Sequence, residues 1–544
     1  MASNSPSSFR VELSDIEDLQ ALAPASLAGV NAASRAQSAR RPNTRASAVT
    51  SIAGHLAGLQ GSASSPDVSP FAALKTRQGR PLRVAILSDF TRISYANGAV
   101  FQTRFLYQEL RRCGHEVTVI GPHDPDARPE DLAPGTISLP SAPLKTYPGL
   151  HIPLPFASWV FDPDLWNFDI CFAQTTSLLM QFGVWLREMK GIPLLCVNTT
   201  HLTAAYDVLL PERLSKIEAV HSGLMMLKRP YEKLFSGVYN QSDGLVVLSE
   251  GLRTYWRERG VTVPIHVIPR AVQPQIFDKP LGPDPYAHLL KGDLRGPRLL
   301  CAGRHTREKS QDRAIRIFAK HILPHEPDAT LTLLGDGPDR SYFERVAAEQ
   351  GVADRVFFPG EVPFSTMPDY YAYADLFIHT SLSETYGNVM GEALWCGTPT
   401  VAFADGMGVT AQIQDGVNGS LLAPGQGAAS EALADAAFGK AALDLLRNPQ
   451  LRAKLGKGAS RIARERCSPP TIDQKIADAF RGAQDHAAAA GLRPAVGRSK
   501  ATQWLTTFQT FRPWAAVNGG LCLAGLLRPA KPGMKRATHP QIAK

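Results

Sequence analysis

Residues 374–403, ADLFIHTSLSETYGNVMGEALWCGTPTVAF, decide the fold. LFIHTS is a short apolar run of the kind a buried parallel strand shows. A glycine-containing loop follows, then apolar residues at helical spacing from Gly387 or Asn388 onward. CGTP is a turn, and TPTVAF is a second apolar run. Strand, loop, helix, turn and strand make one unit of a parallel α/β sheet. The spacing places Glu384 in the loop at the carboxyl end of the first strand, where open α/β sheets bind ligands. Glu392, eight positions later, falls in the first or second helical turn. The helix start offers unpaired N–H groups and a partial positive charge, which suit a phosphate. Each carboxylate accepts two hydrogen bonds, and a vicinal diol supplies two. A nucleotide sugar matches this layout, with its diphosphate at the helix start, its sugar on one glutamate and its ribose on the other.

The same texture extends in both directions. From residue 297, PRLLCAGR, ATLTLLGDGP and RVFFPG read as strands, with helical patterns in QDRAIRIFAKHI and SYFERVAAEQ between them. Upstream, LRVAILSDF, then NGAVFQTRFLYQELRRCGHEV, then EVTVIGP spell strand, glycine loop, helix and strand. FDICFAQ, PLLCVNTT and GLVVLSE add further short apolar runs. Between the two regions, prolines 264, 269, 274, 280, 283 and 285 mark a linker. The expected organisation is an N-terminal extension at 1–80, a Rossmann-like domain at 81–270 and a linker at 271–296. A second Rossmann-like domain follows at 297–470, and 471–544 is a crossing helix with a basic aromatic tail. Residues 1–80 are rich in Ala, Ser, Arg and Gly without a period, the composition of a disordered segment. A transit peptide is the alternative, against which the early acidic residues argue.

Composition narrows the class. The chain has 544 residues, 44% of them hydrophobic, enough for two cores. Its seven cysteines form no ligand knuckle, which points to reduced thiols in the cytoplasm. No apolar run reaches the roughly 20 residues of a membrane span. The net charge is +9, and the segment from His486 to Lys544 holds nine Lys or Arg and no acid, so the remainder is neutral. That distribution does not suggest a nucleic-acid-binding body and points to an anionic surface as partner of the tail. TQWLTTFQTFRPW places Trp504, Phe508 and Phe511 among these charges, as in a segment lying on anionic lipid.

Two cations, Arg304 and Lys309, follow the strand RLLCAG. Cations at a strand end can neutralise a departing diphosphate without a metal. No DxD-like acidic pair stands in a convincing position. Gly98, in YANGAV, opens the first helix, where the lack of a side chain lets backbone approach a phosphate.

Taken together, ETYGNVMGE, NGAVFQTRFLYQELRRCGHEVTVIGP, CAGRHTREKS, LLGDGP and DGVNGSLL resemble the family 4 retaining glycosyltransferases over about 82–470. The resemblance implies an α/β, GT-B fold: two doubly wound Rossmann-like domains facing each other across a cleft, acceptor on the first and nucleotide sugar on the second. It implies that Glu384 contacts the transferred sugar and Glu392 the ribose. Gly387 and Asn388 would present N–H groups to sugar and phosphate, and Arg304 and Lys309 would stabilise the leaving group. It sets the Gly98 loop facing the donor and the acceptor across the cleft, and His201, in CVNTTHLTAAY, near the reacting carbon. It implies retention of anomeric configuration, no cofactor and no obligatory metal, and favours a UDP- over a GDP-linked sugar. The tail together with a similarity to glycolipid-forming members favours a lipid acceptor, and the tail favours peripheral placement on the cytoplasmic face of a membrane. One departure stands out. Where the family has Gly-Gly followed by a Pro-Glu turn, this chain has ADGMGVTAQIQDG, with Gln412 in the acidic position and Gly406 and Gly408 spaced as in a flexible loop. The alternatives are a nucleotide-sugar-binding protein that has lost transfer, a GT-B enzyme acting on a soluble sugar, and an epimerase or phosphorylase of the same fold.

Overall fold

The computed structural model describes residues 69–92, 98–144, 151–153, 162, 165–175, 179–198, 229, 232–289 and 296–523. The expectations for 1–68 and for His201 lie outside these residues. By compactness the described chain separates into two units, Phe71–Val197 with Ala483 onward, and Asn198–Gly482.

The first unit is built on parallel strands β1 (Arg83–Ser88), β2 (Glu116–Pro122), β3 (Ile137–Leu139), β6 (Ile170–Gln174) and β7 (Leu194–Val197), in spatial order β3-β2-β1-β6-β7. Short strands β4 (Ser141–Pro143) and β5 (His151–Pro153) form a separate antiparallel pair. Helix α1 (Gly98–Arg112) connects β1 to β2, and α2 (Leu179–Lys190) connects β6 to β7. The central strands are buried on both faces, so they read as near-continuous apolar runs rather than alternating ones.

The second unit begins with the parallel pair β8 (Gly244–Val247) and β9 (Ile265–Val267), joined by α3 (Glu250–Glu258). Its six-stranded parallel sheet uses β10 (Arg298–Ala302), β11 (Thr330–Leu334), β12 (Val356–Gly360), β13 (Leu376–His379), β14 (Thr400–Phe403) and β15 (Ser420–Leu422). Their order is β12-β11-β10-β13-β14-β15. The chain therefore builds outward from β10 in one direction, then returns to β13 and builds outward in the other. The crevice at the carboxyl ends of β10 and β13 is the place where strand order reverses, and there the connecting loops diverge and leave room for a ligand.

Helices α4 (Gln311–Ile317), α5 (Arg340–Glu349), α6 (Met367–Tyr373), α7 (Asn388–Trp395), α8 (Gly408–Gln412) and α9 (Ala428–Arg447) belong to this unit. Leu331, Leu333, Ile378, Val401 and Phe403 from the strands pack with Phe318, Phe343 and Phe438 in its main core. Helix α10 (Pro449–Cys467) closes on the turn after α7. A Cβ on Gly456 would lie 2.5 Å from the Gly397 carbonyl oxygen, so Gly456 is required by close backbone approach, and Gly397, the glycine of CGTP, sits at φ 72°, a conformation that favours glycine. Arg464 of α10 stacks over Trp395 at 4.5 Å and pairs bidentately with Asp278, which also accepts from Trp395 Nε1. The C-terminal end of α7 is thereby fixed by a planar guanidinium in a fork geometry. The 482/483 division falls inside α11 (Pro469–Ala489), and α12 (Lys500–Leu523) packs on α2 in the first unit. Among the described residues no helix is long and apolar enough to cross a membrane.

Candidate active site

The loop after β10 carries Arg304 and Lys309, and the loop after β13 carries Glu384. The reversal of strand order brings Lys309 and Glu384 together. Lys309 Nζ donates to Glu384 Oε1 at 2.7 Å, across 75 positions of sequence. Both side chains are largely enclosed, 22% exposed for Lys309 and 10% for Glu384. His379, the last residue of β13, places Nε2 3.4 Å from the same oxygen. Burial alone would raise the Glu384 carboxyl, but Lys309 and His379 outweigh it and hold it well below the usual carboxylate range. Lys309 is subject to the converse balance. Burial disfavours its charge, and Glu384 and Glu308 more than compensate, so it is held above its ordinary value. Both members of the pair are ionised at neutral pH.

Backbone geometry aims Lys309 at this partner. Residues 307–309 make a 3-10 turn, which ends at Ser310 in the left-handed region, φ 50°. That conformation is uncommon for a residue other than glycine and costs about 1 kcal/mol. The end of β13 holds it in place, since Thr380 Oγ1 donates to the Ser310 carbonyl at 2.7 Å. Support from the other side comes from LLGDGP. The N–H of His305 donates to Asp336 O at 2.9 Å, and Asp339 accepts from the N–H of Arg307 at 3.0 Å. A Cβ on Gly337 would fall 2.4 Å from the His305 carbonyl oxygen. Arg304 itself is exposed, just beyond β10, and its charge acts on the Glu361 carboxyl. That carboxyl is raised by burial and by Asp336, with Arg304 opposing.

Helix α7 begins at Asn388, as the sequence predicts. Gly387 is its N-cap, with φ 79°, a conformation that favours glycine. No side chain caps this end and no acidic residue stands in its first turn. The first N–H groups of a helix lack intrahelical acceptors, so this start is suited to an anion. Asn388 is exposed there. Glu392 lies in the second turn, and its Oε2 accepts from Tyr371 Oη at 2.9 Å. Burial pushes its carboxyl up to about 7, with the Tyr371 hydrogen bond opposing. The two glutamates therefore differ in kind, one fixed as a carboxylate and one poised near neutrality.

The glycine-rich stretch after β14 differs from the expectation of a flexible loop. Asp405 accepts from the N–H groups of Met407, Val409 and Thr410, tying the turn into one shape. The N–H of Gly408 donates to Glu384 O at 3.0 Å. A Cβ on Gly408 would lie 2.6 Å from Tyr386 Cα and 2.7 Å from the Glu384 carbonyl, so this glycine is required by contact. Buried Gln412 donates from Nε2 to the carbonyl oxygens of Tyr386, of Gly387 (3.4 Å) and of Gly408 (3.2 Å). The amide thus braces the loop between the two glutamates. An ionised acidic side chain in that position could donate none of these bonds.

Of the residues expected from sequence, Lys309, Glu384, Gly387, Asn388, Glu392 and Arg304 belong to the crevice end of one sheet. Gly98 opens α1 in the other unit, and His201 lies outside the described residues. The sequence reading missed His379, although a histidine closing the strand LFIH five residues before Glu384 was a usable signal. Tyr371 left no such signal, since its role comes only from the packing of α6 against α7. Among the described residues no group of three His, Cys, Asp or Glu could hold a metal ion.

Comparison with known proteins gives the family and the fold. The model for Glycosyltransferase Family 4 matches residues 96–276, and that for Glycosyl transferases group 1 matches 296–446. The alpha-monoglucosyldiacylglycerol synthase of Streptococcus pneumoniae is 28% identical over 331 residues, 59% of this chain and 71% of that protein. A GDP-mannose-dependent alpha-(1-6)-phosphatidylinositol monomannoside mannosyltransferase of Mycolicibacterium smegmatis is 26% identical over 258 residues, 45% of this chain and 64% of the relative. Sucrose-phosphate synthase from Thermosynechococcus elongatus superposes with a TM-score of 0.56 at 20% identity, over 73% of this chain and 98% of that one. Anabaena HepE, solved in complex with UDP and glucose, gives 0.55 at 19% identity over 74% and 99%. The two family models together cover more than half of the sequence and fall on both sheets, and the structural likeness gives the fold. The chain is a glycosyltransferase, a member of family 4 with the GT-B fold.

Proposed function

We propose that the protein is a retaining hexosyltransferase that moves a sugar from a nucleotide diphosphate sugar, UDP-linked in preference to GDP-linked, to the hydroxyl of a lipid or other glycoconjugate. It would work at the cytoplasmic face of an anionic membrane met by the tail at 486–544. The observation that carries this reading is the Lys309–Glu384 contact at the reversal of strand order, beside a helix start that no side chain caps. The sugar lies against Glu384, whose fixed charge accepts its hydroxyls. The diphosphate meets the N–H groups at Gly387 and Asn388, and Lys309 and Arg304 take up the charge that develops as the sugar–phosphate bond breaks. The ribose diol donates to Glu392. His201 is assigned to the neighbourhood of the reacting carbon. The departing charge is thereby met by cations and backbone rather than by a metal. A lipid acceptor is supported by the two relatives above, one named for the synthesis of a glucosyldiacylglycerol and the other for a phosphatidylinositol mannoside.

A donor screen tests this directly. Thermal unfolding of the full chain with UDP-glucose, UDP-galactose and GDP-mannose should show the largest rise with a UDP-sugar. Proton NMR of the product formed on diacylglycerol or monoglycosyldiacylglycerol should show the donor's anomeric configuration. No rise with any donor, or an inverted product, would remove the reading.

A pH dependence follows from Glu392. Its folded-state value lies above its ordinary 4.5, so folding stability declines as pH rises from that value through about 7. Donor binding needs the ionised form and should strengthen over the upper part of the same window. Between pH 6 and 8 the ionised fraction rises roughly tenfold, and donor affinity with it. Titration calorimetry in two buffers of different ionisation enthalpy should register proton release on binding near pH 6.5. Glu392→Gln should abolish both the release and the pH slope.

A further inference from the structure

Helix α12 faces the protein with its polar side. Trp185 of α2 donates from Nε1 to Thr507 Oγ1 at 3.0 Å, and Phe511 lies 6.3 Å from the Trp185 ring, centroid to centroid. Thr510 is buried in the same contact face. The hydroxyls of Thr507 and Thr510 also donate back to the carbonyls of Gln503 and Thr506, so they are satisfied within the helix as they dock. Outward, at the spacing of a single helix face, stand Ala501, Trp504, Leu505, Phe508 and Arg512, all exposed. Trp504 is 68% exposed, Leu505 48% and Phe508 51%, and the Trp504 and Phe508 rings stack 5.5 Å apart. A helix on a globular surface ordinarily turns its apolar side inward. This one is inverted, and its aromatics divide: Trp504 and Phe508 point out, Phe511 in.

The charges around the exposed patch select its partner. Arg498, Lys500 and Arg512 are exposed beside it, and no acid occurs between His486 and Lys544. Tryptophan, leucine and phenylalanine ringed by uncompensated cations match the boundary between acyl chains and anionic headgroups. We propose that the Trp504–Leu505–Phe508 face of α12 inserts into the interface of an anionic bilayer, with Arg498, Lys500 and Arg512 at the headgroups. This rests on the assignment of the tail to a membrane and adds the face that makes contact.

The test is flotation of the full chain with vesicles of phosphatidylcholine alone and of phosphatidylcholine with phosphatidylglycerol, with neither donor nor acceptor present. The wild-type chain should float with the mixed vesicles and far less with the neutral ones. The triple variant W504S/L505S/F508S should lose roughly tenfold or more of that binding. Because these side chains are exposed, its unfolding temperature should match wild type. Brominated acyl chains should quench part of the tryptophan emission of wild type and less of that of Trp504→Phe. Undiminished flotation of the triple variant would overturn the assigned face while leaving the basic tail as the contact. Failure of wild type to float with either vesicle would overturn both. Concentration-dependent dimers in wild type that the triple variant lacks, without flotation, would reassign the face to a second copy of the chain.

Discussion

Glu384→Gln and Lys309→Met are each expected to reduce sugar transfer by roughly 10²- to 10³-fold or more, the scale of losing one electrostatic stabiliser of a transition state. Glu384 keeps its negative charge in an enclosed site because Lys309 and His379 outweigh its burial. Removing either side of the pair also leaves the other charge enclosed with only a more distant partner, His379 at 3.4 Å for Glu384 and Glu308 at 4.0 Å for Lys309. For buried pairs that penalty is about 3–5 kcal/mol, and the partial exposure of Lys309 puts it towards the lower end. The single variants should therefore unfold at lower temperature than wild type as well as fail in catalysis. The double variant Glu384→Gln/Lys309→Met separates the two effects. With both charges removed it should recover most of the stability, since a buried ion pair contributes little net stability over a neutral replacement. It should recover none of the transfer. Thermal unfolding and product formation, measured on all four proteins, check this. A double variant that transfers sugar at the wild-type rate would refute the role of the pair.

Gln412→Glu is expected to have the second-largest effect, although it introduces the acidic residue that the family resemblance implies at this position. Nε2 of Gln412 donates to the carbonyls of Tyr386, Gly387 and Gly408 from a buried position. An ionised carboxylate there can donate to none of them. It faces three carbonyl dipoles with like partial charge, and each donor lost in a buried site costs about 1–3 kcal/mol. The introduced carboxyl would bind a proton to escape this, so its folded-state pKa would be raised. The stability deficit of the variant should then shrink as pH falls towards the ordinary carboxyl range and grow as pH rises through the raised value. Donor affinity should fall as well, because the braced carbonyls belong to the loop between Glu384 and Glu392. Gln412→Met, which removes donation without adding charge, should lie between the two. Equal unfolding temperature and equal donor affinity for Gln412→Glu and wild type would show that the amide contacts are dispensable.

Much of the second sheet was legible before any coordinates. PRLLCAG, ATLTLLG, LFIHTS and TPTVAF are apolar runs because their strands are covered on both faces, and that burial shows in the residues themselves. Gly387 marked the start of α7 because a left-handed N-cap suits a residue without a Cβ. The glycine loop near 406–408 misled for the same reason. Two glycines signal freedom when nothing touches them, whereas Gly408 is a glycine because Tyr386 and Glu384 lie against it. The Gln412 amide was visible as a departure from pattern, but its three acceptors come from backbone 4 to 26 positions away. The aromatic periodicity of 504–511 was visible too, yet it could not say which face of α12 would meet α2.

The sequence by itself determined the strands and helices of the second sheet, the position of two carboxylates around the start of α7, and the presence of two cations after a buried strand. These follow from periodicity and turn chemistry, which act over a few residues. Only the tertiary structure decided that Lys309 meets Glu384, that Glu384 is held ionised while Glu392 is poised near neutrality, and that α12 docks by its threonines. Each of those depends on which distant groups the sheet order sets side by side, and on how much water is excluded between them, and neither quantity is a property of a local stretch of chain.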